Sequence, residues 1–186
     1  MFSIPLYGVL ENDVDFQDEA GSPSKSGTIK EVLKDVFQDH ANPDQELSNY
    51  LEGRYDQTKG ILLKTDFYES GFQCQITFRD GYYTGQILTN ESKLDSTERY
   101  YLGHLENYLE DYNIYIPHGG FTTELGFDCL HAGDIWLSRH GVIDMGGHNT
   151  TFKTKKYVDS ELRKLAQSLR LFLTEKAAQN YQNNSE

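Results

Sequence analysis

The chain has 186 residues, enough for one well-packed domain or for a domain with an appendage. It carries 29 acidic and 17 basic side chains, so its formal net charge of -12 disfavours direct binding of free nucleic acid and favours a basic surface as partner. An acidic surface that serves only solubility is the alternative. The sequence opens without a secretory signal and contains no run of about 18 apolar residues, which predicts a cytoplasmic protein with free thiols at Cys74 and Cys129.

The first 58 residues are predicted to form an N-terminal appendage, because the composition changes near Lys59. Thr28 and Glu31 have the spacing of a capping box, and apolar residues recur every three or four positions after them, which predicts a helix. A second helix follows Asn42-Pro43, which supply an N-cap and a first-turn proline. The predicted elements of this region are a β-hairpin with strands at 2–10 and 14–16, a mobile loop at 18–27, and helices at 28–39 and 42–52.

Residues 59–180 are predicted to form an α+β core, and residues 181–186 a frayed tail. Helices and strands mix irregularly in this region instead of alternating, so we expect a mixed or antiparallel sheet flanked by helices. Asp95 and Glu98 repeat the capping-box spacing at the start of one helix. The predicted strands are 61–67, 72–78, 82–88, 114–116 and 125–130, the segment 135–143 is a strand or a loop, and the predicted helices are 95–111 and 154–175.

The stretch 114–134 concentrates ionisable side chains between short apolar runs. His118, Asp128, His131 and Asp134 all fall in it, at or near the ends of predicted strands, where functional sites are commonly built. Histidine exchanges protons near neutral pH, so we predict that His118 and His131 form a catalytic acid–base pair and that Asp128 or Asp134 orients one imidazole. Hydrogen bonding that merely fixes two loops is the alternative for each of these residues.

Glycines in the same stretch can bring backbone N–H groups close to a ligand. Gly119, Gly120 and Gly133 are therefore predicted to bind a phosphate group. No cofactor is predicted, and a divalent metal ion held by the histidine and aspartate side chains is the alternative. Cys129 as a nucleophile is less favoured, because a cysteine inside a strand is usually an apolar filler. A second glycine-rich stretch, 144–150, is predicted to be a loop that closes over the site or a solvated connector.

Three short motifs occur in a fixed order: His118-Gly-Gly, then Gly126-Phe-Asp-Cys-x-His-x-Gly-Asp134, then Lys156-Tyr-Val ahead of a leucine-rich helix. In this order they resemble a group of uncharacterised proteins encoded by phages and integrated elements of Gram-positive bacteria. The resemblance covers roughly residues 68–173, and the second motif is its most specific part. The first 58 residues take no part in it, which agrees with an added module.

In size, acidity and layout, with an N-terminal β-hairpin, the chain also resembles an anti-CRISPR protein that causes shortening of the guide RNA of the type II nuclease. This resemblance implies a phage or mobile-element inhibitor acting in the cytoplasm of the host cell. Its implied partner is the bacterial RNA-guided type II nuclease with its guide RNA, whose nucleic-acid channel is basic. The expected partner contacts are in the hairpin region, at Tyr7, Glu11, Asp13 and Asp15.

Three functional classes are open at this point. The first is a ribonuclease or phosphodiesterase that uses the histidines and aspartates to promote guide-RNA cleavage. The second is a non-catalytic acidic protein that inhibits a nucleic-acid-binding enzyme by occupying its basic surface. The third is a small-nucleotide phosphodiesterase or hydrolase. The 13 tyrosines are also compatible with a homodimer, since tyrosine is enriched at interfaces.

Overall fold

A computed structural model describes residues 13–38, 40–51, 61–122, 125–138, 141–147 and 150–183. The predicted α+β class is confirmed, with mixed and antiparallel sheets flanked by helices. In chain order the elements are β1 (Asp13–Gln17), β2 (Lys25–Thr28), α1 (Ile29–Phe37), α2 (Pro43–Leu51), β3 (Ile61–Glu69), β4 (Phe72–Arg79), β5 (Tyr82–Leu88), α3 (Ser96–Leu102), a 3-10 turn (Leu105–Asn107), β6 (Gly126–Asp128), β7 (Ile135–Ser138), β8 (Gly141–Asp144), β9 (Phe152–Lys153) and α4 (Lys155–Asn183). Within the described segments, no helix combines the length and the apolar character needed to span a bilayer.

The largest sheet is antiparallel, with the strand order β3-β4-β5-β6. Two-residue loops join its first three strands, and both loops have positive φ angles at both positions. These are Ser70-Gly71, with φ of 52° and 87°, and Asp80-Gly81, with φ of 53° and 97°. Such a loop matches the right-handed twist of the flanking strands. Local turn chemistry therefore sets the register of this meander.

Helix α4 covers one face of the large sheet with a fully buried stripe made by Val158, Leu162, Leu165 and Leu169. The helix comes close to β5 at Gly85. An ideal Cβ at this position would lie 2.6 Å from the ring of Phe127 and 3.0 Å from Val158 Cγ1. Because Gly85 has no side chain, both helix α4 and the ring of Phe127 can pack closely against the sheet at this position.

The described part of the N-terminal region joins a sheet with the C-terminal half of the chain. Strand β1 pairs with β2 in antiparallel fashion and with β9 in parallel fashion. The predicted mobile loop at 18–27 is wrong in its last three residues, which belong to β2. Strand 14–16 lies within β1, whereas the partner predicted for it at 2–10 lies outside the described residues. The division into an appendage of 1–58 and a core of 59–180 stays a prediction.

Both predicted capping boxes are present, at Thr28 with Glu31 and at Asp95 with Glu98. Helix α3, which begins after the second of these capping boxes, is nevertheless much shorter than the helix predicted at 95–111. Helix α3 ends at Leu102, and after its C-cap, Gly103, the chain continues as a 3-10 turn instead of a helix to 111. The apolar residues that follow Leu102 at helical spacing lie in separate turns, and these turns pack on α4.

Two further predictions differ from the structure because of contacts between α4 and residues far from it in sequence. No strand forms at 114–116, because the N–H of Tyr115 donates to Ser168 Oγ of α4 at 2.7 Å instead of to a neighbouring strand. Helix α4 runs past the predicted end at 175, and residues 181–183 of the predicted frayed tail are helical. Its last turns are held by Lys176, whose Nζ lies 4.3 and 4.5 Å from the ring centroids of Tyr108 and Tyr112.

We predict that Gly85→Ala lowers the free energy of unfolding by about 1–3 kcal/mol, since the added methyl group must displace either Phe127 or α4. Urea unfolding followed by circular dichroism measures the change. Gln86→Ala, at the exposed neighbouring position of the same strand, is the matched control and should change the value by less than about 0.5 kcal/mol. Equal stability of both variants would contradict the close approach at Gly85.

Candidate functional site

The centre of the site is the carboxylate of Asp134, whose side chain is 0% exposed. Its Oδ2 atom accepts hydrogen bonds from Nε2 of His118 at 2.9 Å and from the backbone N–H of His131 at 2.8 Å. The chain reaches this position through a tight turn, in which Gly133 has a φ of 95° and the N–H of Asp134 donates to the carbonyl of His131 at 3.0 Å. A bridge to Thr151 then fixes the backbone of Asp134.

Helix α4 positions the loop that carries His118. Glu161, which is 2% exposed, accepts the backbone N–H of His118 at 3.1 Å through Oε2 and the hydroxyl of Tyr115 at 2.7 Å through Oε1. The hydroxyl of Tyr157 lies 3.3 Å from Nδ1 of His118. Because Nε2 donates to an acidic oxygen, the neutral imidazole carries its proton on Nε2 and accepts at Nδ1. Helix α4 therefore sets the position of His118, and Asp134 sets its tautomer.

His131 is the more accessible imidazole, with 32% of its side chain exposed against 18% for His118. The two rings meet edge to face, with centroids 5.7 Å apart and an interplanar angle of 81°. Oδ1 of Asp128 lies 3.4 Å from Nδ1 of His131 without the alignment of a hydrogen bond. Gly119 makes room for the ring, since a Cβ at that position would overlap the imidazole of His131.

A buried ammonium group borders the site. Nζ of Lys153 lies 3.8 Å from Oδ1 of Asp134, beyond hydrogen-bond distance, and donates to Gln17 Oε1 at 2.9 Å and to Thr151 Oγ1 at 2.6 Å. Gln17 belongs to β1, so the N-terminal sheet holds this ammonium beside the site. Lys153 thus places positive charge beside Oδ1 of Asp134, whereas the two histidines bond to the other carboxylate oxygen, Oδ2.

The structure brings together all four predicted catalytic side chains, His118, Asp128, His131 and Asp134. Ligand atoms of the two histidines and Asp134 lie within 4.8 Å of one another, so this group could hold a metal ion. The arrangement can move protons between two imidazoles or bind a cation between them and a carboxylate.

The predicted phosphate-binding glycines have different environments. The N–H of Gly120 donates to the carbonyl of Pro117 at 2.9 Å, and that of Gly133 donates to the carbonyl of Gly146 at 2.5 Å. These two N–H groups already have acceptors in the protein, so a phosphate would have to replace those acceptors, and the role of Gly120 and Gly133 as phosphate donors stays a prediction. The N–H of Gly119 has no acceptor among the described residues and keeps that role as a prediction.

The described part of the second glycine-rich stretch, 144–147 and 150, packs against the turn of the site at 133–134, and its role as a closing loop or a connector stays a prediction. The N–H of Met145 donates to the carbonyl of Asp134 at 3.0 Å. Asp144 uses its carboxylate within its own loop, where it accepts from the N–H of Gly146 and the hydroxyl of Thr150. His148 lies outside the described residues.

Only two of the four predicted partner contacts lie among the described residues. Tyr7 and Glu11 lie outside the described residues, whereas Asp13 and Asp15 are exposed on one face of β1. Their two carboxylates point to the same side because they are two positions apart on a strand. This pair is the described part of the predicted docking surface.

Cys129 lies next to the site but is buried. Burial, reinforced by the nearby carboxylate of Asp134, raises the pKa of its thiol well above the usual value of 9.0. A thiol that stays protonated and inaccessible is not a nucleophile, so this alternative is excluded. Cys74 is buried in the same way, and burial raises its pKa to about 12.

Three residues of the site were not predicted from the sequence, namely Lys153, Tyr157 and Glu161. Glu161 carried a detectable signal, since it lies three positions after Val158 and four before Leu165, on the apolar face of α4. An acidic residue on a face that is buried normally has a specific partner. Lys153 and Tyr157 carried no comparable signal, because only the folded chain brings them beside His118 and Asp134.

No protein-family model, curated protein or solved structure matches the chain. Function is therefore inferred from the geometry and chemistry of the described residues.

We predict that Gly119→Ala displaces the imidazole of His131, whereas Gly120→Ala does not. Both glycines have positive φ angles, 69° and 85°, so both variants carry similar backbone strain. Only at Gly119 does the added methyl group overlap His131, since nothing lies within 4 Å of a Cβ at Gly120. NMR spectra of the imidazole nitrogens measure the displacement. Similar shifts of the His131 signals in both variants would contradict the close approach.

We also predict that stability falls as the pH rises above 9, partly because of Cys74. Its pKa is about 12 when folded and 9.0 ordinarily, so its contribution is complete below pH 9 and is lost as the pH rises towards 12. The slope from this thiol is at most about 1.4 kcal/mol per pH unit. Guanidinium unfolding between pH 8 and 10.5 should show a shallower slope for Cys74→Ala than for the wild type. Parallel slopes would contradict the raised pKa.

Proposed function

We propose that the protein cleaves RNA, with His131 and His118 as the acid–base pair, and that its target is the guide RNA held by an RNA-guided type II nuclease. The observation that carries the proposal is the edge-to-face meeting of the two imidazoles at 5.7 Å, with Asp128 beside one ring and Asp134 bonded to the other. Hydrogen bonds of roughly 2.6–3.2 Å from each ring can reach one phosphate placed beside the pair. In this proposal the protein acts in the cytoplasm of the host cell.

The reaction is an attack of a ribose 2′-hydroxyl on the adjacent phosphorus. A bond forms between O2′ and phosphorus, and the bond from phosphorus to O5′ breaks. The base accepts the proton of the 2′-hydroxyl, and the acid gives a proton to O5′. The products are a 2′,3′-cyclic phosphate and a free 5′-hydroxyl, so water and a metal ion are not needed in this step.

The two histidines have different environments, which assigns them different roles. The side chain of His131 is one-third exposed, whereas its Nδ1 is buried beside Asp128, so His131 suits the base that meets the 2′-hydroxyl through its other nitrogen, Nε2. His118 donates from Nε2 to Asp134, which fixes the orientation of its ring. Its Nδ1 faces Tyr157 across a long contact of 3.3 Å, which the leaving oxygen of a substrate can replace. His118 therefore suits the acid.

The charge of the protein supports a substrate that is already held by another protein. A net charge of -12 repels free RNA, and it attracts a basic surface such as a guide-binding channel. The exposed face of β1, with Asp13 and Asp15, offers carboxylates for this contact. Charge would thus select the complex in preference to free RNA.

Inhibition by docking alone is the second candidate, and one observation favours it. The bond between His118 and Asp134 is largely buried, and the same bond can serve to fix the loop of His118 against the turn of Asp134. In that case the acidic surface occupies the basic channel, and the histidines contribute only to folding. The two candidates differ in whether the guide RNA is cut.

We predict that the wild-type protein shortens labelled guide RNA bound to the nuclease and that His131→Ala slows cleavage by at least about 100-fold. Product ends and rates are measured by gel electrophoresis in the presence of a chelator. His104→Ala is the matched control, because His104 is an exposed histidine that bonds to the carbonyl of Tyr100 away from the site. Circular dichroism checks that each variant is folded.

Other outcomes separate the candidates. Equal cleavage by the wild type and by His131→Ala would exclude the histidine mechanism. Tight binding to the nuclease without any cutting would establish inhibition by docking, and the double variant Asp13→Asn, Asp15→Asn should then weaken binding. Rapid cutting of free RNA or of a small cyclic nucleotide would show that the nuclease is not the target.

A further inference from the structure

Two buried polar atoms of the site have no hydrogen-bond partner among the described residues. They are Oδ1 of Asp134 and Nδ1 of His131. Asp134 is fully buried, and its nearest ammonium, on Lys153, is 3.8 Å away from Oδ1. Buried polar atoms are nearly always bonded, so two such atoms in one cluster indicate that a further group binds there. Both atoms belong to residue types that bind metals.

We propose that His118, His131 and Asp134 form a binding site for one divalent d-block cation, of which Zn²⁺ is the natural example. Two imidazole nitrogens and one carboxylate oxygen are a donor set that suits zinc and its neighbours and not the oxygen-binding ions Mg²⁺ and Ca²⁺. Three protein ligands leave a fourth position for water or a substrate oxygen. The exposed side of His131 provides the route to that position.

The spacing of the donors fits an ion after a small movement. Nε2 of His118 and Oδ2 of Asp134 are 2.9 Å apart, near the ~3.3 Å that separates two ligands of a tetrahedral ion with bonds of about 2.0–2.1 Å. The widest separation in the group is at most 4.8 Å, so His131 has to move inward by no more than roughly 1.5 Å. Its ring can do so because it is partly exposed and Gly119 presents no side chain against it.

The groups around the three ligands support the same conclusion. When an ion occupies Nε2 of His118, the proton of that ring moves to Nδ1, where the hydroxyl of Tyr157 accepts it. Asp128 lies beside His131 and can orient its ring, as carboxylates commonly do for metal-binding histidines. Glu161 holds the backbone of His118 and adds a negative charge behind it. These three groups favour a cation, and they act against the repulsion from the ammonium of Lys153. That ammonium lies 3.8 Å from Oδ1 of Asp134, on the other side of the carboxylate from the two donors that bond to Oδ2.

Metal binding has a consequence that rests on the proposed function. An ion on Nε2 of His118 takes the place of the proton that this nitrogen carries in the imidazolium acid, so one site cannot hold the ion and act as the acid. Zinc should therefore inhibit the RNA cleavage proposed above. Metal binding itself does not depend on that reaction and can be measured without RNA.

The test starts with protein stripped of metal by a chelator. Isothermal titration with ZnCl₂ should show one Zn²⁺ per chain, and Co²⁺ should give the visible absorption band of a four- or five-coordinate ion. His131→Ala should weaken binding by at least about 10-fold, and His104→Ala, the exposed histidine outside the cluster, should leave it unchanged. Asp134→Asn should also lose the site, but its carboxylate is buried, so the partly exposed His131 gives the safer variant.

Each outcome bears on the proposal. Absence of saturable binding, or equal affinity of His131→Ala and the wild type, would overturn it. Binding of one ion without any RNA cleavage would support the metal site and exclude the proposed reaction. Cleavage that proceeds unchanged under excess Zn²⁺ would, together with absent binding, exclude the metal site and leave the reaction standing.

Discussion

One buried carboxylate oxygen organises the site. Oδ2 of Asp134 accepts both the Nε2 proton of His118 and the backbone N–H of His131, and so connects two loops that are 13 residues apart in sequence. A buried carboxylate is stable only when such donors replace the water it has lost. This shared acceptor brings the two imidazoles together, and both the proposed acid–base pair and the proposed metal site depend on that contact.

Helix α4 forms the other half of the site while it completes the core. Its leucines cover the large sheet, and its first turns place Tyr157 and Glu161 against the loop of His118. Polar groups on an otherwise apolar face can be buried because they bond to the backbone and side chains of that loop. The packing of α4 in the core and its bonds to the loop of His118 are therefore coupled, and a shift of α4 would move that loop.

The N-terminal sheet contributes to the site from behind. Strand β1 lies beside β9, and Gln17 of β1 accepts a proton of Lys153, the ammonium that borders Asp134. The same strand exposes Asp13 and Asp15 on its outer face. A partner that docks on β1 would consequently touch an element that also supports the site, which offers a physical connection between docking and chemistry.

The α+β class, the capped starts of α1 and α3 and the four ionisable residues of the site were predictable from the sequence alone. These features depend on local backbone preferences, on periodic burial and on residue type, all of which are legible along the chain. Only the tertiary structure decided that α3 stops at Leu102, that 114–116 bonds to α4 instead of forming a strand, and that α4 extends to Asn183. It also decided which glycine N–H groups are already bonded and which distant residues, Lys153, Tyr157 and Glu161, stand beside His118 and Asp134. Hydrogen bonds and packing contacts between residues far apart in sequence select among conformations that local preferences leave nearly equal, and no local pattern encodes them.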